Sequence, residues 1–149
     1  MSNISTAYDE LILKIQTLFP GKIRIYNPYE LTDNPILTLK DSWGVKLLTG
    51  EQVNQDYCDI TIARGFSLVL TRVLPTTNKA EDFDNAAKAI VEDQQSFIQE
   101  IYKNGSFTVG NLYEGSITNI SGLEFIQADE KKFLFCEVQF TITINERLA

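Results

Sequence analysis

FLFCEVQFTITI, residues Phe133–Ile144, is the stretch that decides the fold. Its even positions, Leu134, Cys136, Val138, Phe140, Ile142 and Ile144, are all apolar. From the middle onward the odd positions Glu137, Gln139, Thr141, Thr143 and Asn145 are polar. A period of two held this long predicts an unusually long strand and is too regular for a helix. One apolar face and one polar face place that strand in an antiparallel sheet covered on a single side.

The rest of the chain supplies the cover. Thr6–Phe19, opened by Ser5 or Thr6 with Asp9 and Glu10 in its first turn, repeats Tyr8, Leu11, Ile12, Ile15, Leu18 and Phe19 at helical spacing, and Pro20-Gly21 ends it. A second helix starts near Asn78 and Glu81 and runs to about Lys103. Its stripe is Phe83, Ala86, Ala87, Ile90, Val91, Phe97, Ile98 and Ile101, and Asn104-Gly105 is its stop. Tyr57–Leu74 reads as another long strand, with Cys58, Ile60, Ile62, Phe66, Leu68 and Leu70 on one parity. Arg64 breaks that parity beside Gly65, which predicts a bulge turning Arg64 outward. Short strands are expected at Lys22–Tyr26 and Ile36–Leu39, and Leu112–Ile120 and Leu123–Ala128 lead as a meander into the final strand. The expected fold is α+β: one domain over 1–149, with a mainly antiparallel sheet of about four to five strands and two helices on one face.

Residues 27–56 are crowded with turn signals, among them Asn27-Pro28, Ser42-Trp43-Gly44 and Thr49-Gly50, and read as an irregular segment. So long a segment in a compact domain usually carries binding surface. Trp43 either plugs the end of the sheet or makes a subunit contact, since Trp is favoured at interfaces. Tyr29 and Val45 are the other interface candidates in this segment.

Charge and residue types narrow the chemistry. The net charge is −7, and no run of Lys or Arg exceeds two residues. Gripping nucleic acid needs clustered cations, which argues against a DNA-binding surface. The start MSNISTAYDE lacks the layout of a signal peptide, and no apolar run suits a membrane span. Histidine is absent altogether, which removes the commonest general base and metal ligand. Gly105, Gly110 and Gly115 form no phosphate loop, and the pairs Asp9-Glu10, Glu81-Asp82, Glu92-Asp93 and Asp129-Glu130 point apart on helices or sit at turns. Asp56 and Asp59 could hold a cation only weakly, and Cys58 and Cys136 read as buried, reduced thiols. No catalytic residue, metal or cofactor is assigned, and the chain is not expected to be an enzyme.

The order of elements resembles the tail terminator proteins of long-tailed bacteriophages. The resemblance rests on the helix Thr6–Phe19 and on the irregular segment Asn34-Pro35-Ile36-Leu37-Thr38-Leu39 leading through Trp43-Gly44-Val45. It continues with the strand Phe66–Arg72, the acidic-started helix Glu81–Tyr102 and the closing strand Phe133–Ile144. It implies a homo-oligomeric ring, usually a hexamer, at the tail–neck junction of the virion, made in the host cytoplasm. Such a ring caps the tail tube, stops its polymerisation and meets the head connector, while DNA passes through without specific binding. A different neck or head-completion protein, or a small acidic immunity-type binding protein, fits the same features.

Overall fold

The computed structural model describes residues 3–29, 41–55, 59–74, 80–103, 106–107, 114–128 and 131–147. The elements are α1 (Asn3–Leu18), β1 (Ile23–Arg24), β2 (Ser42–Gln55), β3 (Asp59–Val73), α2 (Ala80–Ile101), β4 (Tyr102–Lys103), β5 (Ser106–Phe107), β6 (Glu114–Ile120), β7 (Glu124–Ala128) and β8 (Lys131–Arg147). The α+β class is as expected. The main sheet has six strands, one more than the upper end of the expectation, in the order β1-β2-β3-β8-β6 with β7 also on β8. Every pairing in it is antiparallel except the short parallel β1–β2 contact.

β8 is the spine. It pairs with β3 in an unbroken register from Val73↔Phe133 to Asp59↔Arg147. Leu134, Cys136, Val138, Phe140, Ile142 and Ile144 are buried together with Phe66, Leu68 and Leu70 of β3, which lie opposite or diagonal to them. Phe66 stacks on Phe140 at 5.7 Å between ring centroids, and Phe97 of α2 tilts onto the same ring at 5.5 Å. Ala7, Leu11, Ile12 and Ile15 of α1 and Ala86, Ile90, Phe97 and Ile101 of α2 complete one core, so both helices cover the same face.

Several local expectations are corrected. The irregular segment contains a 14-residue strand, β2. Its glycines signal close approach rather than turns. A Cβ on Gly44 would meet Pro28 Cβ at 2.8 Å and the Ile25 carbonyl oxygen at 2.9 Å, because the chain after β1 crosses over that residue. The bulge expected at Arg64 belongs to β2 instead, where the register shifts between Leu47 and Gly50. Arg64 keeps the parity of the core face, opposite Ile142, and its side chain lies over Gly50. The last strands are no simple meander. β6 and β7 both pair with β8, so they form two halves of one rung broken at Ser121–Leu123. At that break the Ser121 N–H donates to the Glu137 carbonyl (3.0 Å), and the Glu137 N–H donates to Ser121 Oγ (2.7 Å).

α1 begins at Asn3, earlier than expected, so Asp9 and Glu10 fall in its second turn. α2 carries Glu81 and Asp82 in its first turn and ends at Ile101, short of Lys103. The gap in its apolar stripe is Gln94, buried and donating Nε2 to the carbonyls of Glu137 (3.0 Å) and Ser121 (3.2 Å), which pins the helix over the break. The opposite sheet face is not simply wet. Ser42, Ser67, Val69 and Thr71 are buried on it, and Lys46 of β2 reaches across β3 to Glu137 of β8 at 2.7 Å. Asp93 of α2 meets Lys22 (2.8 Å) and Arg72 (3.5 Å), and Arg72 also reaches Asp41 (3.4 Å), tying α2 to the start of the sheet. The expected strand Ile36–Leu39, the Asn78 cap, the Asn104-Gly105 stop, Asp56 and Cys58 lie outside the described residues.

Phe140→Ala removes the ring that both Phe66 and Phe97 contact, and should cost about 3–5 kcal/mol. Urea unfolding checks this: the midpoint should fall sharply with an unchanged slope, and an unmoved midpoint would contradict the assigned core.

Candidate interaction surface

The three interface candidates divide. Trp43 is 1% exposed; it pairs with Leu70 on the helix-covered face, so it belongs to the core. Val45, opposite Leu68, is buried in the same way. Neither offers side-chain surface to a partner, because β2 is a full strand of the sheet and its helix-facing parity is buried there. Tyr29 is 57% exposed, and its hydroxyl accepts a hydrogen bond from the Leu47 N–H at 2.7 Å. Of the two readings of Trp43, the structure selects the buried one.

The sequence reading missed most of the exposed apolar surface. Phe83 and Val91, assigned to the α2 core stripe, are 40% and 45% exposed. They continue through Ala87 as a row at four-residue spacing beside the buried row Ala86, Ile90, Gln94, Phe97 and Ile101. The signal was the width of the stripe, broader than one contact with a sheet requires. Ile120, Leu123 and Phe125 are exposed beside this row, and the Phe83 and Phe125 rings lie 6.2 Å apart. At the other edge of the sheet, Tyr26, Tyr29 and Leu47 are exposed around β1 and β2. The Arg24 guanidinium lies 4.4 Å from the Tyr26 ring, 6.0 Å from Tyr8 and 5.8 Å from Trp43, and donates to the Tyr8 hydroxyl at 3.0 Å.

The titratable groups converge on no reaction centre among the described residues. No three of the metal-binding residue types gather there as a cation site, and Asp93 is held in ion pairs with Lys22 and Arg72. Asp59 opens β3, where its backbone lies opposite that of Arg147. Cys136 is fully buried. Burial, reinforced by the negative charges of Asp93 and Glu137, pushes its thiol from 9.0 up to about 12. No helix among the described residues is long and apolar enough to cross a membrane.

Trp43→Ala should destabilise the single chain by about 3–5 kcal/mol, as loss of a buried ring does. A melting transition that stays in place would contradict the buried assignment. Cys136 should resist alkylation in the native protein and react fully on unfolding. Because its thiol ionises near 9.0 when exposed and near 12 when folded, its contribution to stability is whole below pH 9.0 and is lost as pH rises toward 12. Rapid native labelling at mildly alkaline pH would refute this. No protein-family model matches the chain, and no match was found among curated proteins.

Proposed function

We propose that this chain is a structural protein of a long-tailed phage, a tail terminator subunit. Copies close into a ring, hexameric in the usual pattern of the family it resembles. The ring caps the tail tube, ends its polymerisation and joins it to the head connector at the tail–neck junction of the virion. The function resides in contacts between chains, and no residue is given a catalytic role.

One observation supports this reading above the others. Apart from Leu13 on α1, the exposed large apolar side chains among the described residues gather at opposite edges of one sheet, around Tyr26, Tyr29 and Leu47 and around Phe83, Leu123 and Phe125. A subunit that touches two identical neighbours in a ring needs two different surfaces, because a head-to-tail contact joins unlike patches. The net charge of −7 suits the wall of a channel through which DNA slides without sticking. A second reading, a small acidic protein that masks a basic partner, draws on Glu81, Asp84 and Glu92 along one flank of α2 and calls for a monomer.

The test adds the purified chain to growing tail tubes and follows them by electron microscopy. Tubes should stop lengthening at one end and carry a ring there. Tubes that elongate at both ends as if nothing had been added would overturn the proposal.

A further inference from the structure

One rung of the main sheet runs through Leu47, Phe66, Phe140 and Ile117, residues of β2, β3, β8 and β6 paired in turn. Its middle is the Phe66–Phe140 stack that Phe97 rests on. Each of its ends meets a tyrosine hydroxyl. The Leu47 N–H donates to Tyr29 Oη at 2.7 Å, and the Ile117 N–H donates to Tyr102 Oη at 3.0 Å. Past each of these residues the strand slips register, between Leu47 and Gly50 in β2 and between Ile117 and Asn119 in β6.

An edge strand presents outward N–H and C=O groups at alternate residues, and a further strand can pair on them. β2 has 14 residues, of which β1 pairs with Ser42 and Trp43. The Trp43 carbonyl accepts from the Ile25 N–H at 2.7 Å, so Trp43, Val45 and Leu47 are the residues whose backbone groups face outward there. With β1 on the first and Tyr29 on the third, Val45 alone lies between them, too little for an added strand to hold. The bulge after Leu47 then shifts the spacing that such a strand would have to match. At the other edge, Tyr102 follows the buried Ile101 and belongs to β4, which pairs with β5 in a separate two-stranded sheet. From there its phenol reaches the edge of the main sheet at Ile117.

We infer that Tyr29 and Tyr102 are edge clamps. Each takes the outward N–H at one end of the core rung and, with the bulge beside it, closes that edge to strand addition by a second copy. Tethering a loop or a helix end would not require both phenols to meet the same rung beside a register slip. The inference goes beyond the ring reading and does not depend on it, because it concerns the kind of contact that the edges refuse. In an assembling chain the clamps confine contact between copies to side chains, where open edges brought close together would pair into a growing sheet.

Tyr29→Phe and Tyr102→Phe each remove one hydroxyl and keep the ring. The melting transition should stay in place, while the amide of Leu47 or Ile117 should exchange several-fold faster than in the wild type. Either variant should form species larger than any the wild type forms, read by sedimentation. The double variant, open at both edges, should grow further and gain the infrared band of intermolecular sheet. Leu47→Pro removes the freed N–H itself, and added to Tyr29→Phe it should return the sedimentation to the wild-type pattern. Variants that sediment as the wild type does and lack that band would overturn the clamps, as would amides that exchange no faster. Association that Leu47→Pro leaves unchanged or increases would trace it to lost stability, and would overturn them as well.

Discussion

The register between β3 and β8 is the constraint on which the rest of the structure depends. It runs without interruption from Val73↔Phe133 to Asp59↔Arg147. A slip of one residue would turn the whole even row of β8 to the other side of the sheet. With the register in place, Phe66 and Phe140 stack, Phe97 has a ring to rest on, and the buried carbonyl of Glu137 meets Gln94 of α2. The helices are therefore positioned by the strand pair. Their own sequences supply the complementary stripe, and Gln94 sets where α2 stops sliding along it.

The same arrangement produces the exposed surfaces. Two helices laid over the middle of a six-stranded sheet leave its flanks short of cover. On one flank the core-facing positions of β6 and β7 emerge past α2 as Ile120 and Phe125, and on the other Leu47 emerges past α1. These side chains keep the parity of the core but lack a helix above them. Contiguous apolar surface of this kind is characteristic of contacts between chains. The proposed assembly thus uses the two places where the fold's own layering runs out.

Much of this was legible in the sequence and some was not, for physical reasons. The period-two run from Phe133 to Ile144 and the apolar parity from Phe66 to Leu70 were clear because burial on one face leaves a regular trace. β2 was hidden because Gly44 and Gly50 look like turn residues, whereas they accommodate Pro28 and Arg64 pressing on a strand. Only the three-dimensional approach of those groups explains the glycines. The bulge was expected in β3 at Arg64 and lies in β2 opposite it, since parity reveals an interruption without showing which strand absorbs it. Trp43 carried no local mark separating core from contact, and its burial follows from β2 being a strand. Tyr29 is exposed, as its place among turn residues suggested. The apolar surface beside α2 went unseen because Phe83 and Val91 are indistinguishable by spacing from the core row beside them.

β8 organises the core, and in the proposed assembly the uncovered flanks join one copy to the next. Amide hydrogen exchange measured at low and high protein concentration tests it most directly. The amides of Leu134 to Ile144 should be among the slowest at both concentrations. Concentration-dependent protection should appear at residues 26–29 and 45–48 and at 83–91 and 120–125. Slow exchange centred elsewhere than β8, or flanks whose exchange is the same at every concentration, would contradict it.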